Sequence, residues 1–155
     1  MSIRIESREN SLVKRLVRLS NDRKFRKEMQ EMVCEGEKML GEALSSGMDI
    51  HDILVAEDAE LDTELLRQAE GQGAKLYICP SSLLGKVSNV KTPQGVVFSC
   101  ERPVAELRVL QDAKRLMVLE GLQDPGNLGT IIRTADAFAL DGIILCEGCV
   151  DPTSP

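Results

Sequence analysis

Residues 115–145, RLMVLEGLQDPGNLGTIIRTADAFALDGIIL, constrain the fold more than any other part of the chain. An apolar strand is predicted over residues 116–119, followed by a turn rich in Gly, Asp, Pro and Asn at residues 121–127. A helix starts near Asn127, and a second apolar strand covers residues 143–145. This order reads as one βαβ unit. Its turn sits at the carboxyl end of a strand, where open parallel sheets place their ligand sites. It also offers free backbone N–H groups at a helix start, which suit anionic groups.

Upstream, strands and helices alternate. Asn10 or Ser11 can cap a helix whose apolar residues Leu12, Val13, Leu16, Val17 and Leu19 recur at helical spacing. Lys14, Arg15 and Arg18 fall away from that stripe, so the helix has a basic outer side. Residues 20–22 break it, and a second basic stretch with Arg23, Lys24, Arg26 and Lys27 follows. Strands are predicted near residues 32–34, 53–56, 76–79 and 96–99, with helices near 37–45, 63–70 and after Pro80. Alternation at these lengths argues for an α/β domain, its parallel or mixed sheet lying between helix layers. A boundary is expected between Glu101 and Lys114, where Arg102-Pro103 interrupts the strand. That gives a first domain over residues 1–103 and a second over 114–155, joined by a linker or short helix.

Three segments carry a family resemblance. Asp124-Pro125-Gly126-Asn127-Leu128-Gly129, then Arg133-Thr134-Ala135-Asp136, resembles the first signature motif of the SpoU/TrmH family. These are S-adenosylmethionine-dependent RNA ribose 2′-O-methyltransferases of the SPOUT class. Lys91-Thr92-Pro93-Gln94-Gly95-Val96 and Cys34-Glu35-Gly36-Glu37-Lys38 are similar to two further family segments. The resemblance implies a small α/β/α substrate-binding domain followed by the first βαβ part of a trefoil-knot methyltransferase domain. It also implies homodimerisation, since two knotted domains form the family's site together. The two later cofactor motifs do not occur before Pro155, so the chain is expected to be an amino-terminal portion, truncated before the knot. No cofactor-binding residue is assigned within it, and S-adenosylmethionine is not expected to bind it alone.

Composition narrows the partner class. The net charge of −6 divides unevenly: residues 1–30 carry nine Lys/Arg and four Asp/Glu, the remainder ten against twenty-one. A basic arm on an acidic body is the pattern of a nucleic-acid contact, and the alternative is a basic helix face that merely solubilises. Lys14, Arg15, Arg18, Arg23, Lys24 and Arg26 are the RNA-binding candidates. No apolar run approaches the roughly 20 residues that cross a bilayer. The start, MSIRIESREN, lacks an apolar signal core, and five scattered cysteines suggest no disulfide framework, so a cytoplasmic location without membrane contact is expected.

The catalytic candidates are Arg133 and Asn127. The resemblance assigns Arg133 to the reacting ribose, at its 2′-hydroxyl or phosphate. A guanidinium does not readily give up its proton, so its fork suits holding a phosphate and polarising a hydroxyl better than acting as a base. The alternative is a surface arginine paired with Asp136 at i,i+3. Asn127 is the expected N-cap of the turn helix, with Gly126 and Gly129 allowing close approach. Ile131, Ile132, Ala135 and Phe138 are expected to pack that helix on the buried strands Val118-Leu119 and Ile143-Ile144-Leu145. Glu120 reads as a solvated carboxylate and His51 as a surface histidine before a strand. Cys146-Glu147-Gly148-Cys149 has CxxC spacing, but no second pair completes a four-ligand zinc site, and no metal is expected.

Two functions from different classes follow: 2′-O-ribose methylation of ribosomal or transfer RNA, and a non-catalytic RNA-binding module. A third, nucleotide binding at the Gly-rich turn, lacks both the GxGxxG pattern and a Walker-type ending.

Overall fold

The computed structural model describes residues 2–88, 90 and 92–155, so Lys91 of the KTPQGV segment lies outside the described residues. The chain divides into two compact units, Met1–Arg102 and Pro103–Ser154.

The first unit is built on a five-stranded sheet: β1 (Ile3–Arg4), β2 (Glu31–Glu35), β3 (Ile50–Ala56), β4 (Lys75–Cys79) and β5 (Val96–Glu101). Their order across the sheet is β1-β4-β3-β5-β2. β1, β4 and β3 run parallel, and β5 is antiparallel to both its neighbours. The sheet is therefore mixed. β1 carries no sequence signal of its own, because it is two exposed residues laid on the edge of β4.

Five helices cover the sheet: α1 (Ser11–Asn21), α2 (Arg23–Met29), α3 (Glu37–Ser45), α4 (Thr63–Gly71) and α5 (Ser81–Val87). Asn10 caps α1 through Leu12 N–H. Asp22 then ends α1 and caps α2, accepting from Phe25 N–H at 3.0 Å. That bond is the first cause holding the Asp22 carboxyl below its ordinary value. Period-two alternation sends successive residues of β3 to opposite faces. Leu54 and Ala56 join Leu12, Val13, Leu16 and Leu19 of α1 and Leu83, Leu84 and Val87 of α5. Ile53 and Val55 join Leu40 and Leu44 of α3, Ala69 of α4 and Phe98 of β5. The result is a three-layer α/β/α sandwich.

One end of the first face is polar. Arg15 reaches inward from α1 to Glu31 of β2, with Nη1 2.9 Å from both carboxylate oxygens, and bonds Asp52 of β3 through Nη2. Both acids are buried, at 6% and 7% exposure. Between Ile50 and Asp52 the register with β5 slips by one residue, a bulge at His51. His51 is half-buried within β3, its Nδ1 2.7 Å from Glu31. This corrects the reading of His51 as a surface residue before a strand.

Arg15 and Arg26 are likewise withdrawn from the expected RNA-binding set. Arg15 is bonded to two buried carboxylates. Arg26 is 3% exposed, and its Nη1 donates to the last carbonyls of α1, Leu19 O at 2.7 Å and Ser20 O at 3.3 Å. Helical periodicity of apolar residues alone could not assign either one inward.

The second unit contains a 3₁₀ turn (Leu107–Leu110), then β6 (Leu116–Leu119), α6 (Pro125–Ala137) and β7 (Gly142–Leu145), with β6 and β7 parallel. Asp141 clasps the start of β6, accepting from the N–H groups of Arg115 (2.8 Å) and Lys114 (2.9 Å). Those donors hold its carboxyl below the ordinary value. This unit leaves apolar surface open, as expected where the covering knot is absent. Val118 is 60% exposed, Ile132 42% and Phe138 70%, because this two-stranded sheet carries one helix rather than helices on both faces. Leu128 and Ala135 are the residues that α6 buries.

Arg15→Ala leaves the buried Asp52 carboxylate without its cation and Glu31 with His51 as a remaining partner, and should destabilise the chain by about 3 kcal/mol. Arg18→Ala removes an exposed pair with Asp22 and a stacking contact on Phe25 and should cost about 1 kcal/mol. Urea unfolding of both variants checks this. Asp141, held low in the folded state, contributes stability that is complete above its unfolded pKa and lost as pH falls through the lower folded value. Asp141→Asn should therefore flatten the acid limb of a stability–pH curve below about pH 4 and leave it unchanged in shape near neutrality.

Candidate functional site

The turn after β6 is set by Asp124. Its carboxylate accepts from Asn127 N–H at 2.6 Å, and Pro125 occupies the first helical position. Asp124, not Asn127, is thus the N-cap. The signal was present in the sequence: proline favours the first helical position, which makes the residue before it the cap. Asn127 instead lies in the first turn of α6 with its side chain exposed.

Arg133 lies two turns into α6, exposed. Its Nη2 is 3.3 Å from Thr130 Oγ1, and Thr130 in turn donates to Gly126 O at 2.9 Å. Among the described residues no ion pair joins Arg133 to Asp136. A methyl group at Gly129 would stand 3.3 Å from Arg133 Nη1, so the guanidinium lies back along the helix over Gly129, toward the turn. The motif's glycine and threonine therefore position the arginine. Glu120 is exposed, as read from the sequence.

The turn is held from the opposite side by residues 146–150. Cys146 N–H donates to Leu119 O (2.8 Å), Gly121 N–H to Glu147 O (3.3 Å) and Val150 N–H to Leu122 O (2.7 Å). These bonds frame the turn, and its rim is open: Gly121 and residues 123–127 are exposed. Such a rim exposes donors and a guanidinium to a phosphate or ribose. It supplies no enclosure for a larger group.

In the first unit the structure brings together a different set of cations from the one expected. A groove of 530 Å³ is lined by Arg8, Lys14, Arg18 and Lys86, with Val13 and Val17 on its floor and Glu9 and Asp22 at its edge. Lys86 comes from α5, far away in sequence, and only the packing of α5 beside α1 could reveal it. Arg18 is steadied over the Phe25 ring, 4.0 Å from its centroid, and lies 3.5 Å from Asp22. Lys14 pairs with Glu9 at 2.6 Å. Arg23 and Lys24 are exposed in the first turn of α2 and do not line the groove. The α3 and α4 side carries Glu37, Glu42, Glu64 and Glu70 against Lys38 and Arg67, so it is acidic on balance and the layers differ in charge.

With this geometry in hand, the likenesses to known proteins are specific. Residues 10–97 match the MRM3-like substrate binding domain, and residues 114–155 match the SpoU rRNA Methylase family. An uncharacterized tRNA/rRNA methyltransferase of Synechocystis, slr1673, is 38% identical over 97% of this chain and 55% of its own length. The 23S rRNA (guanosine(2553)-2′-O)-methyltransferase RlmP of Bacillus subtilis is 33% identical over 95% of this chain and 56% of its own. The AdoMet-bound rRNA methyltransferase of Sinorhizobium meliloti superposes with a TM-score of 0.85 at 29% identity, covering 97% of this chain and 57% of that one. The chain thus spans about half the length of the relatives it matches. The chain thus belongs to the family of the MRM3-like substrate binding domain, matched over residues 10–97, and its βαβ unit, with the DPGN turn and Arg133, is similar to the SpoU rRNA Methylase family over residues 114–155.

Proposed function

We propose that the protein takes part in 2′-O-ribose methylation of ribosomal or transfer RNA. The first unit holds RNA, and the turn of the second presents the reacting ribose. The observation that carries this reading is Arg133: an exposed guanidinium, positioned by Thr130 and Gly129, beside an open turn at the carboxyl end of a parallel strand. Relatives similar to nearly the whole chain are named RNA methyltransferases.

The chemistry asked of this chain is modest. A guanidinium keeps its proton, so Arg133 serves by gripping the phosphate next to the target ribose and donating to its 2′-oxygen as charge develops there. The rest is orientation, which turns a bimolecular displacement into a positioned one. AdoMet, the methyl donor of the family, finds no enclosed site among residues 119–133, whose turn is exposed on its rim. Homodimerisation belongs to the same reading, with light scattering of the protein from its full gene as the check.

RNA would lie on the α1 and α5 side. Lys14, Arg18, Arg8 and Lys86 share one groove, with Arg23 and Lys24 next along α2, while the opposite layer is acidic. These contacts are to phosphate and fix position rather than sequence.

Three measurements test the reading. The protein from its full gene, given RNA and labelled AdoMet, should yield a nucleoside methylated on the 2′-oxygen, which resists alkaline cleavage. Arg133→Ala should lower the single-turnover rate by about 10²-fold while leaving AdoMet affinity within experimental scatter, and Arg133→Lys should recover little. Base methylation, or a wild-type rate for Arg133→Ala, would overturn the assignment. On the 155-residue chain, neutralising Lys14, Arg18 and Lys86 together to Gln should weaken RNA binding. It should also reduce the salt slope by about 0.7 for each phosphate no longer neutralised, with an unchanged urea midpoint. An unchanged slope would make the groove a solvated face.

A second reading, a non-catalytic RNA-binding module, is favoured by the open rim of the turn. AdoMet titrated into the 155-residue chain should give no saturable heat on either reading. Methylation by the protein from its full gene separates the two.

A further inference from the structure

The CxxC segment is absorbed neither by the proposed chemistry nor by the core. It follows β7 directly, and both cysteines are free thiols, Cys146 exposed and Cys149 buried. Cys149 N–H lies 3.4 Å from Cys146 O, closing a four-residue turn. Gly148 sits at its third position with φ +80, as a type II turn requires. Such a turn holds its first and last Cα atoms within about 7 Å, and a disulfide needs roughly 4.4–6.8 Å. A second observation places the Cys149 thiol beside the backbone of Cys146. The Cys146 N–H (2.8 Å) and the Cys149 thiol (3.3 Å) share one acceptor, the carbonyl of Leu119 at the end of β6. Among the described residues no group of three His, Cys, Asp or Glu side chains is placed to hold a metal there.

We propose that Cys146 and Cys149 are a dithiol–disulfide couple, oxidised by small-molecule disulfides of the glutathione type. The Cys146 thiolate attacks one sulfur of the disulfide, the S–S bond breaks, and one thiolate leaves with the electron pair. Cys149 then loses its proton, gives up its bond to Leu119 O and attacks the Cys146 sulfur, expelling the second thiolate. Overall two protein thiols become one disulfide, and one small disulfide is reduced to two thiols. Exposure makes Cys146 the attacking residue and burial makes Cys149 the resolving one. The couple sits where it would be felt. Glu147 O and Val150 N–H hold Gly121 and Leu122, and a methyl group at Gly148 would lie 3.4 Å from Gly121 Cα. Closing the turn therefore bears on the segment that leads to the Asp124 cap.

The test uses the 155-residue chain and oxidised glutathione with a chelator present, followed by acid quenching, alkylation and tryptic mapping. The peptide that begins at Thr134 carries both cysteines. In the wild type it should lose the mass of two hydrogens and take up no alkylating agent. Cys149→Ser keeps a donor for Leu119 O, so the fold is retained, and its peptide should stop heavier by one glutathione. Cys146→Ser should take up none. A wild-type peptide that keeps two alkylatable thiols, or that stops at the glutathione adduct as Cys149→Ser does, overturns the proposal. So does a Cys149→Ser protein that forms no adduct.

Discussion

Strand Ile50–Ala56 is buried on both faces along most of its length, and the first unit is organised around that constraint. A strand with apolar residues facing both ways needs helices on both sides, so α1 and α5 cover one face and α3 and α4 the other. Parallel neighbours demand crossover helices, which is why α4 joins β3 to β4. The buried carboxylate in this strand, Asp52, is tolerated because Arg15 arrives from α1 and bonds both it and Glu31. The cluster costs desolvation and returns specificity: it pins α1 across the β2–β5–β3 end of the sheet in a single register.

That constraint also sorts the basic residues. A helix lying flat on the sheet must send some of its cations inward, and Arg15 is the one whose reach meets buried acid. Arg26 is used to close the carboxyl end of α1. What remains on the surface is a groove assembled from two helices, steadied by an aromatic ring under Arg18 and widened by Lys86. The acidic side chains of α3 and α4 lie on the opposite layer, so an overall negative protein still offers one basic side to a polyanion.

The elements themselves were legible in the sequence. Helical periodicity placed α1, α3 and α4, and the apolar runs placed β2 to β5 with ends shifted by a few residues. The βαβ turn was legible because its strand, cap and glycines lie together. Features created by tertiary contact were not. The edge strand β1 has two residues and exists only beside β4. His51 faces Glu31 because of a bulge, which no local pattern announces. Asn127 drew attention as a cap, yet the Asp124-Pro125 pair carried the stronger signal. The sequence places Arg133 on the turn helix, but its pose over Gly129, held by Thr130 rather than paired with Asp136, emerges only in three dimensions.

The proposed function divides RNA recognition between a phosphate grip on α1 and α5 and a ribose contact on α6. Photo-crosslinking of bound RNA to the protein from its full gene, with mass spectrometry of the joined peptides, tests it most directly. Crosslinks should fall on the peptides carrying Lys14, Arg18 and Lys86, and on the peptide preceding or following Arg133. Crosslinks confined to the acidic α3 and α4 layer, with none on α1, α5 or α6, would contradict it.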